Sequence, residues 1–276
     1  VFDGVKLNYP PFMDMVSALL VKTGVSLRWA LIVPSFILIM FAVVMMYFVS
    51  FQITKSRLAA FLTPFLFFFN GSIAGFKYFW DDYRTSQLSF WDFMNHMPKE
   101  YAHLADFNIR FSNIIADYIL PQRTFIGGLA LGLIVVYFLW RYWESGDKKQ
   151  LLYSGIALGF TPLVHTHTFV GLTIIAGFLC LIQLFENIKD VDVKVWFSKW
   201  IYFFAPALLS GLPQLALIYP FDTQHFTRFY LGWMKGNDSI WVFWPKNLSP
   251  HIYVFLVAFL FVGKRFRQFL LAFLGL

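Results

Sequence analysis

Residues 151–185 read LLYSGIALGFTPLVHTHTFVGLTIIAGFLCLIQLF, a long apolar run whose centre is Thr161-Pro162-Leu163-Val164-His165-Thr166-His167-Thr168. As one helix these roughly 35 residues would reach about 52 Å, far beyond the roughly 20 residues that cross a hydrocarbon core of about 30 Å. Proline removes a backbone donor, and histidine and threonine are costly in hydrocarbon unless paired or facing a wet cavity. The run therefore predicts two short helices meeting at 161–168, with Gly155, Gly159 and Gly171 allowing close helix contact.

Charge placement tests that break, because cytoplasmic loops are enriched in Lys and Arg. Outward from it lie four runs of spanning length, Leu27 to Phe51, Leu58 to Phe76, Thr124 to Trp140 and Trp200 to Tyr219, and a shorter fifth, Ile252 to Gly263. If 151–185 is a hairpin, one side collects Lys55, Arg57, Arg141, Lys148, Lys149, Lys189, Lys194, Lys199, Lys264, Arg265 and Arg267. That is about 11 basic residues in roughly 35 loop positions, against about 11 in more than 100 on the other side. A single span there would invert everything downstream and scatter the pattern. The expected fold is an all-α polytopic transmembrane bundle of about seven spans, including the short broken hairpin, with interfacial helices in its extracytoplasmic loops.

Composition agrees. Hydrophobic residues make up 59% of the 276 and charged residues 13%, about half the charge of an ordinary soluble domain, which excludes a water-soluble fold. The net charge of +7 does not indicate nucleic acid, since the cations fall in short clusters between apolar runs and not on one aromatic-laced face. The single cysteine, Cys180, allows no internal disulfide. The chain starts at Val1 and stops inside a new apolar run, Phe269 to Leu276, which reads as truncation at both ends of a single transmembrane domain, 1–276. No soluble domain, low-complexity linker or internal repeat is visible.

Under this topology the extracytoplasmic side holds the N-terminal stretch to Arg28, a loop at 77–123, the His165 turn and a loop at 219–251. All six histidines, His96, His103, His165, His167, His225 and His251, fall there. Phe90, Phe93, Met94, Met97, Tyr101 and Leu104 recur at helical spacing and predict an amphipathic helix on the membrane surface. Trp80, Trp91, Trp233, Trp241 and Trp244 suit an interfacial aromatic belt.

The stretch Leu7-Asn8-Tyr9-Pro10-Pro11-Phe12, followed by Met13 to Leu20 and Lys22-Thr23-Gly24-Val25-Ser26, resembles a segment of GT-C membrane glycosyltransferases. There a Tyr/His-Pro-Pro-hydrophobic motif opens a helix after the first extracytoplasmic loop, and a Gly-x-Ser turn leads into the next span. The resemblance covers roughly the first 75 residues. Pro121-Gln122-Arg123 and Pro162-Leu163-Val164-His165-Thr166-His167 look like landmarks of bacterial and archaeal members of the same broad group. It implies a multi-pass plasma (inner) membrane enzyme that moves a sugar from a polyprenyl-phosphate carrier to a glycan, lipid or protein acceptor at the extracytoplasmic face. The family's acidic residue or pair in its first external loop would lie upstream of Val1, and nothing matches Asp3 to that motif.

Each candidate has a bland reading beside the functional one. Asp81-Asp82 either caps a helix at the interface or deprotonates an acceptor hydroxyl, with a divalent cation as the one cofactor such a pair could hold. Arg123, after Gln122, puts a guanidinium at a helix start, which suits a lipid phosphate or simply anchors the span. His165 and His167 bind carrier or acceptor, form a structural turn, or contribute two ligands to a metal that needs about two more. Tyr9 belongs to the proline motif. His225, Arg228, Lys235 and Asp238 share a loop with Trp233, Trp241 and Trp244, where aromatic plates suit sugar rings or the membrane interface alike. Asp14 faces the external cavity or caps its helix. Readings from other classes are a lipid-linked glycan or small-molecule transporter built on the broken helix, and a non-enzymatic membrane subunit.

Overall fold

Proline and glycine set most of the helix boundaries. In the computed structural model, which describes residues 9–111, 113–186, 192–218 and 235–273, the chain is almost entirely helical. Pro10-Pro11 leads into α1 (Phe12–Lys22), and Gly24, at φ +96°, turns the chain into α2 (Leu27–Thr54). Next come α3 (Arg57–Phe68), α4 (Ile73–Ser86), α5 (Phe90–Asn95) and a two-stranded hairpin, β1 (His103–Leu104) with β2 (Ile109–Arg110). A π-helical turn, Ile114–Ile119, precedes α6 (Arg123–Ser145), which Gly146 ends at φ +70°. Beyond it lie α7 (Lys148–Gly159), α8 (Thr166–Glu186), α9 (Val193–Ile218), α10 (Ile240–Asn247), α11 (Pro250–Phe261) and α12 (Lys264–Phe273).

Among the described residues four helices, α2, α6, α8 and α9, are long and apolar enough to cross a membrane, or five spans result if the bent pair α3 and α4 counts as one. The architecture is thus compatible with a multi-pass membrane protein. The expected seven is reached only by adding α7 and α11, and each has 12 residues, about 18 Å, short of a full crossing. The run Leu58 to Phe76 is not one helix. Asn70-Gly71 interrupts it, the Asn70 amide donating back to the Phe67 carbonyl at 3.0 Å, and the Ser72 hydroxyl accepts from the Gly75 amide at 2.9 Å to start α4 afresh.

The amphipathic helix expected from Phe90 through Leu104 stops after six residues. Ser89 caps its start, but Pro98 disfavours helix at Met97, so Met97 is irregular, Tyr101 lies in a turn and Leu104 in β1. Periodicity carried past the proline was misleading there.

The described residues sort into two compact units, one within Val1–Pro64, Gln122–Gln224 and Val262–Leu276, the other within Phe65–Pro121 and His225–Phe261. In the first, α7 packs most closely on α9. Gly155 and Gly159 make this approach possible, since a Cβ at Gly155 would run into the Phe203 backbone and one at Gly159 into the Ser210 hydroxyl. Val135, Leu139, Leu151, Leu158, Leu179 and Phe203 form its fully buried centre. The Gln183 carbonyl there accepts from Tyr142 at 3.0 Å and Trp200 at 2.8 Å, pairing groups that would be costly to bury alone.

The same unit carries its basic turns together at one end. Glu144, near the end of α6, pairs with Lys55 at 3.2 Å and receives an amide bond from Gln52 at 2.8 Å. Trp143 donates to the Arg265 carbonyl at 3.0 Å, and Lys148 lies 4.7 Å from the centre of the Tyr202 ring. Arg123 opens α6 at its other end, and the 23 residues of that helix, about 34 Å, separate the two.

Candidate functional site

At the Arg123 end, one missing hydrogen bond organises a group of side chains. Pro34 sits inside α2, so the carbonyl four residues earlier, on Ala30, has no intrahelical donor. The Ser17 hydroxyl supplies one at 2.8 Å, with the Met13 carbonyl as its neighbour at 3.2 Å. Ser17 is buried, and its oxygen also accepts from Nη2 of Arg123 at 2.7 Å. Arg123 further donates from Nε to Ser35 at 3.2 Å and from Nη1 to Asp14 at 3.3 Å. The guanidinium is thereby fixed against α1 and α2, its side chain 19% exposed while that of Asp14 is 62% exposed.

The break between α7 and α8 lies at the same end. Thr161 is buried and its hydroxyl donates to the Leu158 carbonyl at 2.6 Å, while its own carbonyl accepts from His165 N at 2.6 Å. Gln214 of α9 stitches the break from outside, donating to the Gly159 carbonyl at 2.7 Å and accepting from Leu163 N at 3.3 Å. The amide of Phe12, at the start of α1, donates to the Leu163 carbonyl at 3.2 Å. Orphan groups at two helix ends and a turn thus satisfy one another.

His165 lies over α6. A Cβ at Gly128 would come within 2.5 Å of the His165 side chain, so glycine is what lets the ring approach, and Phe125 meets it edge-on at 5.9 Å. Its Nδ1 is 2.8 Å from the Thr168 hydroxyl. The rings of His165 and His167 stand 5.4 Å apart, His165 half-buried and His167 exposed. Tyr9 reaches Thr124 through its hydroxyl at 3.4 Å, a marginal bond. Gln122 precedes α6 and is exposed.

Tyr9, Gln122, Arg123, His165 and His167 therefore gather where α1, α6 and α8 begin, and three helix N-termini lend that end a positive partial charge. The proximity of the two histidines was legible in their spacing. Ser17, Ser35, Thr168 and Gln214 were not singled out, though Pro34 alone implied an orphan carbonyl on α2 for which a donor was needed.

Asp81 and Asp82 belong to the other unit, on α4. Asp82 is engaged there, by Lys99 at 2.9 Å and the Tyr101 hydroxyl at 2.8 Å, and these bonds, Lys99's first, hold its carboxyl below the ordinary range. Burial, and then the Asp82 carboxylate, raise the Tyr101 phenol. Gly75 admits the Tyr101 backbone, since a Cβ there would collide with the Tyr101 carbonyl. Asp82 thus anchors the segment after α5.

Lys235 and Asp238 are likewise part of a brace. Asn108, at φ 50° between the two strands, donates to the Lys235 carbonyl at 2.6 Å and to Asp238 at 2.9 Å. Lys246 pairs with Asp238 and donates to the Phe107 carbonyl at 2.8 Å, and its bond is the largest cause that keeps the Asp238 carboxyl low. Asn247, buried, accepts from Arg110 N at 2.7 Å and donates to the Asn108 carbonyl at 3.2 Å. His225, Arg228 and Trp233 lie outside the described residues. Among those described, no three His, Cys, Asp or Glu residues come together to hold a metal, so His165 and His167 have no third ligand in that set.

No family model, curated protein or solved structure matches the chain.

Proposed function

We propose that this chain is the membrane-embedded part of a GT-C-like glycosyltransferase in the plasma (inner) membrane, moving a sugar from a polyprenyl-phosphate carrier to an extracytoplasmic acceptor. The observation that supports this reading is the convergence of Tyr9, Arg123, His165 and His167 where α1, α6 and α8 begin. A lipid-borne phosphate at that end would meet a cationic guanidinium, three helix N-termini and two imidazoles. It would compete with exposed Asp14 for Nη1 of Arg123, the longest bond of the guanidinium. His167, exposed beside the fixed His165, is placed to contact the sugar or the acceptor.

Opposite sidedness of this end and of the basic turns around Glu144 supports placing the site on the extracytoplasmic face. In this reading Arg123 holds phosphate, His165 positions His167, and the acceptor's proton goes to a carboxylate or to His167. The experiment is sugar transfer by the purified full-length protein from polyprenyl-phosphate donors, compared among wild type, His167→Gln and Arg123→Gln. Transfer that falls at least tenfold in both variants, with each still monodisperse and folded, supports the reading. Absence of transfer from every donor, with cells carrying Arg123→Ala unaffected, overturns it.

A transporter of a lipid-linked glycan is favoured by a separate observation, the 12-residue α7 stopping at a polar break, as in the discontinuous helices of transporters. Donor-independent movement of a labelled lipid-linked glycan across proteoliposomes would select it.

A further inference from the structure

The seam between α6 and α8 carries a slot of about 260 Å³ that begins at Phe125 and Thr168 and ends at Val136 and Ile175. Gly128, Gly132 and Gly171 line it without side chains. From Phe125 to Val136 the axis of α6 advances about 16 Å, close to half of a hydrocarbon core of about 30 Å, the depth of one leaflet. Of the lining side chains only one, at the Phe125 end, is polar. The Thr168 hydroxyl is there, with the His165 ring bonded behind it at 2.8 Å, whereas the far end is Val136, Leu172 and Ile175.

These dimensions discriminate among occupants. A further helix about 10 Å across would need on the order of 1,200 Å³ over that length, several times what the slot offers. A polyprenyl chain long enough for both leaflets would run past Val136 and Ile175, where the lining ends. A single linear chain with a polar end and the length of one leaflet matches in section, length and polarity. We propose that the α6–α8 slot seats one acyl chain of a bilayer phospholipid, its ester end at Thr168 and its methyl end at Val136. The proposal rests on bilayer placement alone and is independent of sugar transfer.

The test uses the full chain in vesicles of phosphatidylethanolamine and phosphatidylglycerol doped with a phosphatidylcholine that carries a diazirine in the last third of one acyl chain. Adducts on Leu129–Val136 and Leu172–Ile175 are expected to exceed, by at least fivefold, those on Phe36 and Ile37 of α2, which are each 60% exposed. Gly132→Phe fills the slot and lowers the α6–α8 adducts fivefold or more, while Ile174→Phe, exposed on α8 outside the lining, leaves them unchanged. Val136→Phe shortens only the far end, so it removes adducts of this probe and keeps those of a probe labelled beside the ester. That variant decides the matter if Gly132→Phe does not fold. Even labelling of α2, α6, α8 and α9 overturns the proposal, as does labelling displaced by polyprenyl phosphate but not by unlabelled phospholipid.

Discussion

Arg123 donates to the Ser17 hydroxyl at 2.7 Å, and the same hydroxyl closes the carbonyl of Ala30 that Pro34 leaves open. The candidate phosphate ligand is thereby mounted on a defect in α2. Its orientation follows in part from Ser17, Ala30 and Pro34, beside its bonds to Ser35 and Asp14.

That arrangement predicts a double-mutant cycle. Ser17→Ala strands the Ala30 carbonyl and removes one Arg123 partner, at a cost of about 1–3 kcal/mol for a buried unsatisfied group. Pro34→Ala restores an N–H four residues after Ala30. In the Pro34→Ala background, Ser17→Ala is therefore expected to cost less, by about 1 kcal/mol, in reversible unfolding in mixed micelles. Strict additivity would show that the proline and the serine do not share the carbonyl.

The glycines of α6 separate by what they face. Gly128→Ala places a methyl 2.5 Å from the His165 side chain, whereas Gly132→Ala meets Thr168 at 3.3 Å and Leu172 at 3.5 Å. Overpacking of the first kind costs about 1–3 kcal/mol. Gly132→Ala is expected within about 0.5 kcal/mol of wild type, because gained helix propensity offsets a contact that needs little adjustment. Thermal unfolding of the two variants side by side checks the order.

Asp82 and Tyr101 predict a plateau in pH. The folded Asp82 carboxyl lies below its ordinary 3.8, so its contribution is complete above that value and is lost as pH falls through the lower folded one. Tyr101 is raised from 10.0, so its contribution is complete below that value and is lost as pH rises past it. The segment after α5 should stay docked between about 4 and about 10. In the phenolate absorbance difference between wild type and Tyr101→Phe, the Tyr101 midpoint is expected above 10.0, and Asp82→Asn should move it down. A midpoint unaffected by Asp82→Asn would separate the two groups.

Much of this fold was legible from residue pattern. The break at Pro162 and three of the four long runs, those from Leu27, Thr124 and Trp200, follow from length, hydropathy and proline, which act locally. The clustering of the histidine turn with Arg123 was legible only as shared sidedness, because contacts such as Gly128 with His165 depend on which helices pack together. Two expectations failed for local reasons that were present in the sequence. Asn70-Gly71 offered an alternative to helix in Leu58 to Phe76, and Pro98 ended the periodic stretch after Phe90. The role of Asp82 was not readable, since Lys99 and Tyr101 reach it through a turn whose path no periodicity specifies.

Topology supplies the last prediction. Tyr142 near the end of α6, Gln183 in α8 and Trp200 in α9 meet through one carbonyl, so Gly146 and Asp192, which flank α6 and α9, lie at the same end of that unit. Leu163, in the α7–α8 break, receives the start of α1 at the other end. Single cysteines at Gly146 and Asp192, in a Cys180→Ser background, are expected to react with a membrane-impermeant maleimide from one side of sealed vesicles, and a cysteine at His167 from the opposite side. In the proposed topology the basic residues around Glu144 mark the first side as the cytoplasmic one. If Gly146 and Asp192 label from opposite sides, α7 and α8 act together as one crossing. The site at Arg123 and His165 would then lose its proposed external placement, and with it the access to an extracytoplasmic acceptor that the proposed sugar transfer requires.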